Sequence, residues 1–468
     1  FKNNEMEVSK RMHNKQIGFI EALCVMLMVL GLLGTLIIGF KMSPHVPILM
    51  VITLLLFYGR LRGFSWDEIH DGIIEGIRPG IIPIIIFMLI GVLVATWMAA
   101  GTIPTIMVFG FHLLSARFFL PLVFIICGIV GMTVGSSFTT ISTIGIALLG
   151  VGQLLHVNSA LTAGAVVSGA FLGNNLSPLS DTTNLAAGLA EVNLYQHIKA
   201  MAAPAIPAAV ISLLIYTWLG HNAQPVALHQ LDQLTRALAQ QFNLNWVTLL
   251  PAVWLLLTAW FKIPAIAALL SSAGVALLTM LNQPSMVFSG PAIDQLIMSG
   301  FQAHTGDRQL DTLLSRGGIN GMLGSIALII LALTLGGLLI KYGIINQLIH
   351  RTEGVINTPA KLILMTTLSA VGINLLVGEQ YLSIILPGET YKPLYKKLNV
   401  PAVMLSRTLD GGGAAVNSLI PWGVSGVFIA GTLGVSPLAY IPFAFYPYLE
   451  PLITVILGFF WHKRPVSR

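Results

Sequence analysis

Asp181 lies in the stretch GNNLSPLSDTTN, residues 173–184, where twelve residues hold five hydroxyl or carboxylate side chains and three asparagines between two apolar runs. A carboxylate among hydroxyls and amides is a set of hard oxygen donors, suited to a small alkali cation or a proton. A charge inside a membrane segment is costly and by default marks an ion or proton pathway. Ser180-Asp181-Thr182-Thr183 is also good helix-capping chemistry. However, an extramembrane loop here would leave the flanking apolar stretches, Gly164 to Leu172 and Leu185 to Leu189, too short to span alone. The oxygen donors of this stretch are Asn174, Ser177, Asp181, Thr182 and Thr183, with Asp181 the candidate Na+ ligand.

Three further polar groups stand at other points of the chain. Gly135 to Thr143 alternates hydroxyls with small and apolar residues, which makes Ser136, Ser137 and Thr139 candidate ligands, although such hydroxyls also glue packed membrane helices together. Glu379 and Gln380 add a second intramembrane carboxylate and an amide, with Glu379 the second titrating group. Arg407 and Asp410 stand at i, i+3, where they could neutralise each other on one helix face, followed by a triple glycine allowing close backbone approach or a hinge. Asn417 completes the set. His156, His221, His229, His304, His350 and His462 sit at segment ends or in polar loops without ligand spacing, and read as solvated. Phosphate loops, nucleophile elbows and dinucleotide fingerprints are absent, so neither an enzyme nor a cofactor is expected.

The elements that position these residues are membrane segments. The chain is 55% hydrophobic and 9% charged with a mean hydropathy of +0.84, far from the roughly 25% charged of soluble domains. Apolar runs able to cross about 30 Å of hydrocarbon, or most of it, recur throughout, and about ten to fourteen segments are expected on that length criterion. The first, Ile17 to Phe40, is longer than a signal-peptide core and has no small-residue cleavage site after it, which predicts a retained helix. Cys24 and Cys127 fall inside apolar runs and read as structural thiols.

The chain is written twice. At an offset of 243, Gly135 meets Gly378, Gly169 meets Gly412, Asn174 meets Asn417 and Pro178 meets Pro421, and 12 of 58 positions from Gly135 to Val192 are identical. Composition alone would give roughly four or five in a chain this apolar, so a duplication is inferred. The excess of Lys and Arg over acids, 24 against 18, gathers at segment ends, Arg60, Arg62 and Lys392 to Lys397 among them. By the positive-inside rule these ends are cytoplasmic, as are both termini; nucleic-acid binding is an unnecessary reading. The basic Lys392 to Lys397 loop pairs by offset with the uncharged Leu149 to Leu154, as expected if the two copies lie on opposite faces of the membrane. Inverted repeats are the architecture of many secondary transporters, with the site near the midplane between broken helices. Pro178 removes an N–H and biases Ser177 away from helix. Pro421 repeats that break.

The fold expected is all-α: a polytopic membrane protein of two inverted-topology repeats with broken helices and re-entrant segments. Residues 1–16 form a cytoplasmic tail, 17–219 the first repeat, 220–245 an external linker, 246–461 the second repeat and 462–468 a cytoplasmic tail.

At these residues the chain resembles the NhaC family of Na+/H+ antiporters, within the ion transporter superfamily. The motifs are Leu176-Ser-Pro-Leu-Ser-Asp-Thr-Thr-Asn-Leu185, Gly378-Glu-Gln-Tyr-Leu-Ser-Ile-Ile-Leu-Pro-Gly388, Ser406-Arg-Thr-Leu409, and Leu419-Ile-Pro-Trp422 with Ala430-Gly-Thr-Leu-Gly434. The resemblance implies exchange of sodium for protons; some similar members exchange malate with protons against lactate with sodium. The family commonly has an acidic residue where Asn174 stands, and a more acidic, less glycine-rich run than Asp410-Gly411-Gly412-Gly413. Fewer carboxylates leave room for a small organic anion.

Two functions of one architecture are therefore carried forward, with a channel or a non-transporting membrane scaffold as a third of another class. The first is Na+/H+ exchange, with Asp181 binding sodium and protons alternately; the second is a sodium- or proton-coupled carrier of a small carboxylate or amino acid. The partners expected are Na+, H+ and the bilayer, with a homodimer compatible with the sequence, and the location is the cytoplasmic membrane.

Overall fold

The structure, a computed structural model, describes residues 17–113, 116–221, 228–284, 288–303, 311–312, 314–354 and 356–460. His304, His462 and both tails lie outside them, as do residues 222–227 of the expected linker. Among the described residues the elements are helices and no strand occurs.

The first half runs α1 (Phe19–Leu33), α2 (His45–Leu61), α3 (Trp66–Ile77), α4 (Ile81–Ala99), α5 (Thr102–Leu113), α6 (Phe119–Val134), the short α7 (Ser137–Thr140), α8 (Ile146–Leu154), α9 (Ser159–Asn175), α10 (Asp181–Leu189) and α11 (Leu194–Gly220). The expected linker is partly helical, as α12 (Leu228–Gln241). The second half follows as α13 (Leu250–Trp260), α14 (Ala265–Met280), α15 (Gly290–Ser299), α16 (Ile319–Lys341), α17 (Ile344–Glu353), α18 (Pro359–Val377), α19 (Gln380–Lys397), α20 (Ala402–Gly413), α21 (Val424–Leu433), α22 (Pro437–Tyr440) and α23 (Phe445–Phe459).

The offset of 243 reappears in the backbone. α6 ends on Gly135 at φ 72°, ψ 20°, and α18 ends on Gly378 at φ 73°, ψ 16°. Both glycines take the left-handed conformation that closes a helix. A Cβ on Gly135 would come within 2.6 Å of Leu179 and 2.9 Å of the Ser180 nitrogen, so a side chain there would push the α9–α10 break away. The next helix opens in each half on an oxygen cap: Ser136 accepts from the Thr139 N–H at 3.2 Å and Glu379 from the Leu382 N–H at 2.8 Å. His156 and Asn399, 243 residues apart, have φ of 54° and 53°, an unusual conformation for non-glycine residues.

By length and composition six helices of the described residues can cross a membrane, or nine if each of three bent pairs counts as one span. The ten to fourteen expected were more because α2, α6 and α14 are apolar but short and other runs are cut by breaks. The final run, Tyr440 to Trp461, is one such case, bending 53° between Pro437–Phe443 and Phe445–Phe459. Lys392 to Lys397 is not a loop: these residues form the last turns of α19, where lysines suit the negative end of the helix. Cys127 is buried while Cys24 is exposed on α1, and both are free thiols.

The apolar core falls into two clusters, and both halves build each. One joins α4 to α9 with α14, α16, α21 and α23. Phe87, Phe138 and Phe428 meet within it, with ring centroids 4.7–6.0 Å apart. The other joins α1 to α3 with α16 to α20. Edge-on and tilted aromatic contacts of this spacing add to burial and fix α7 beside α21.

Candidate functional site

The break between α9 and α10 is made by local bonds and a tie to α6. The Ser177 N–H reaches the Asn174 carbonyl at 3.2 Å, and the Ser177 hydroxyl donates to the Met132 carbonyl at 2.7 Å and accepts from the Leu179 N–H. Ser180, not Asp181, caps α10, accepting from the Thr183 N–H at 3.3 Å. Asn184 closes the turn by donating to the carbonyls of Pro178 and Ser180. Asp181 is thereby freed from the capping role. Its Oδ1 accepts from the Thr182 N–H, and its Oδ2 takes the Tyr381 hydroxyl as donor.

Asp181 opens onto a cavity of about 300 Å³ lined also by Ser136, Ser137, Thr139, Asn174, Gln380 and Tyr381. Apolar walls come from α4, α13 and α14, and Lys262 stands at the lining. The structure thus brings six of the residues read from the sequence to one space: Asp181, Asn174, Ser136, Ser137, Thr139 and Gln380. The other six stand apart from its lining. Ser177 is spent on the break. Thr182 accepts from the Asn174 side chain at 3.1 Å, which holds α10 against α9. Glu379 is buried as the α19 cap, with Oε1 unpartnered. Asn417 spans the second break, donating to Asn374 at 2.8 Å and accepting from the Ser425 N–H at 2.9 Å.

Asp410 and Thr183 belong to a second, closed cluster. The Thr183 hydroxyl approaches Asp410 Oδ2 and the Asn174 carbonyl, each at 3.2 Å, and His197 Nε2 stands 3.3 Å from the same Oδ2. The expected Arg407–Asp410 ion pair does not form. Arg407 is buried within electrostatic reach of Glu450, and its Nε and Nη2 have no hydrogen-bond partners. One turn of spacing permits the pair, but the α23 carboxylate and the α11 imidazole compete for the two charges. Sequence reasoning missed His197, Glu450 and Tyr381. Glu450 had a signal, being the only acidic residue in its apolar run from Tyr440 to Trp461, and Tyr381 stands in the Gly378 to Gly388 motif; His197 lacked one.

The model of a family described as the Na+/H+ antiporter family matches residues 15–183 and 169–461, which together span most of the chain. This chain belongs to that family. Over 440 residues it is 38% identical to the Na(+)/H(+) antiporter NhaC of Alkalihalophilus pseudofirmus, covering 92% of this chain and 94% of that protein. It is 37% identical over 446 residues to the Na(+)/H(+) antiporter NhaC of Bacillus subtilis, covering 94% and 96%. An arginine/ornithine antiporter, ArcD of Halobacterium salinarum, is 35% identical over 405 residues, 85% of this chain and 82% of that protein. In this member of the antiporter family, the cavity at Asp181 is where carboxylate, hydroxyl and amide oxygens meet space.

Proposed function

We propose that this protein is a secondary active transporter that exchanges Na+ for H+ across the cytoplasmic membrane by alternating access, with Asp181 as the cation-binding carboxylate. The placement of Asp181 carries the reading. Among the described residues it is the one carboxylate lining the polar cavity; it stands just past a helix break and is accompanied by Ser136, Ser137, Thr139, Asn174 and Gln380. Hard oxygen donors of this kind suit Na+, and irregular backbone at membrane depth is tolerated where it lines such a cavity. The antiporter relatives support the same ions. The halves, 17–219 and 246–461, are read as lying in opposite orientations about an external 220–245 linker, with cytoplasmic termini. Labelling of a cysteine at Gln230 from the outside only supports that orientation; labelling from the cytoplasmic side alone refutes it.

A second reading is favoured by the shape of the space. About 300 Å³ is at the lower end of small-molecule sites, and it adjoins the N-termini of α7, α10 and α19, which attract carboxylates. Coupled transport of an amino acid or small organic acid follows, as the arginine/ornithine relative also suggests. Proteoliposomes decide between the two. Sodium alone dissipating an imposed pH gradient is the expected result; a strict need for an organic solute replaces the first reading by the second.

A further inference from the structure

The Asp410 cluster lies outside the cavity: none of its members is among the residues that line the space at Asp181. Its members come from four helices: Asp410 and Arg407 from α20, His197 from α11, Glu450 and Tyr446 from α23, and Thr183 from α10. All are buried. Thr454 donates to Glu450 Oε1 at 2.9 Å, while Glu450 Oε2, Asp410 Oδ1 and His197 Nδ1 are unpartnered. Gly411 makes the arrangement possible, since a side chain there would run into both oxygens of the Glu450 carboxylate. The first glycine of the triple run is therefore the seat of a buried acid.

We infer that the buried cluster of His197, Asp410 and Glu450, with Arg407 beside it, is a proton-binding site separate from the Asp181 cation site, so that the exchanged sodium and proton are held by different side chains. The inference rests on the Na+/H+ exchange reading and assigns its proton.

Charge bookkeeping supports it. Two carboxylates and one guanidinium leave one negative charge where solvent is excluded, and an uncompensated buried charge is strongly disfavoured. One proton, on His197 or on a carboxylate oxygen, cancels it. Sodium is the poorer occupant: the guanidinium repels it, and among the described residues no three His, Cys, Asp or Glu side chains converge as metal ligands. The groups around Asp410 are Arg407 on its own helix, His197, Glu450 and Tyr446, with Tyr395 of α19 acting on Arg407. α10 adds Thr183, and α18 packs Thr367 and Asn374 against the neighbouring Gly412.

The link to the cation cavity is a single hydroxyl. Thr183 has one proton and two acceptors at 3.2 Å, the Asp410 carboxylate and the carbonyl of Asn174, a residue that lines the cavity. A charged Asp410 draws the hydroxyl to itself, and a neutralised cluster releases it to Asn174. Thr183 is also two residues from Asp181 on α10. Occupancy of one site thus acts on the other, and by linkage each ion weakens the other's binding by the same factor.

The test uses the purified full-length protein. Sodium titration calorimetry at one pH, in buffers of different ionisation enthalpy, counts the protons released per sodium bound. For His197→Gln and Glu450→Gln, which alter the cluster from different helices, the sodium dissociation constant is expected within about threefold of wild type if sodium binds elsewhere. Proton release is expected to fall to about half or less once a titrating group of the site is removed. Retained sodium binding also reports a folded protein, and if one variant fails to accumulate the other decides. Wild-type proton release in a folded variant overturns the inference, as does loss of sodium binding in the monodisperse His197→Gln protein. Absence of any sodium-driven proton movement in wild-type liposomes is a different failure, that of the exchange reading itself.

Discussion

At the α9–α10 break Asn174 bonds across eight residues to Thr182, and at the α20–α21 break Asn417 bonds across the same eight to Ser425. The stitch is shared; the surroundings are not. The first break ends in Asp181, facing a cavity. The second ends in Val424, and Asn417 ties it down to Asn374, which in turn holds the carbonyls of Gly412 and Gly413. The helix-ending glycines recur at the offset of 243, but three acids do not: Asp181 pairs with Val424, Asp410 with Val167 and Glu450 with Pro207. One break is thus tied down by hydrogen bonds to a neighbouring helix, while the other carries a carboxylate that lines a cavity.

The largest effect expected is at Asp181. Asp181→Asn keeps the side chain's shape but removes its charge, and should abolish sodium-dependent proton movement in proteoliposomes while the protein inserts and folds. Unchanged turnover and sodium affinity would leave the first break as structural as the second. Tyr381→Phe removes the donor that orients the carboxylate; hydrogen bonds to charged groups are worth about 1.5–3 kcal/mol, so the sodium half-saturation should rise by about tenfold or more. A value equal to wild type would show that cation binding does not depend on the Tyr381 contact.

Asn417→Ala probes the fixed break. It leaves the Asn374 oxygen and the Ser425 N–H unsatisfied, at about 1–3 kcal/mol for each buried group. The expected result is a lower melting temperature with sodium affinity little changed, and the reverse pattern would remove the distinction between the breaks. Next comes the dependence of sodium half-saturation on pH, which should fall as pH rises because the two ions oppose each other's binding. A flat profile would mean that protons are not coupled. The smallest effect is at the exposed pair of Glu191, which follows α10, and Lys392 on α19, 2.8 Å apart. The lysine holds the Glu191 carboxyl below its usual range. Any stabilisation is therefore present at neutral pH and lost as pH falls through that lowered value. For so exposed a pair, Lys392→Gln should leave the melting temperature at pH 7 unchanged within error.

The α9–α10 break was legible because proline, glycine and asparagine act locally; the 243-residue offset, at which the helix-ending glycines Gly135 and Gly378 recur, needs only the chain compared with itself. Asp181 was legible because a carboxylate in an apolar run is rare. The Asp410 cluster was not. His197, Asp410 and Glu450 are 213 and 40 residues apart along the chain, and no spacing rule joins them. The mistaken Arg407–Asp410 pair has the same origin, since a one-turn spacing was weighed without the helices that supply competing partners. The role of Glu379 was half legible: its intramembrane position could be read, but its use as the cap of α19 depends on where that helix starts.

The division of the apolar core has a consequence for how the chain comes together and moves. α16 presents Ile326, Ile329 and Leu333 to one cluster and Leu328, Leu335 and Leu338 to the other. Neither half of the sequence contains a whole core, so fragments cut within residues 222–227 should each be degraded when expressed alone and recover transport only when made together. The units to test for relative motion are then the two clusters rather than the two halves of the sequence, with α16 shared between them.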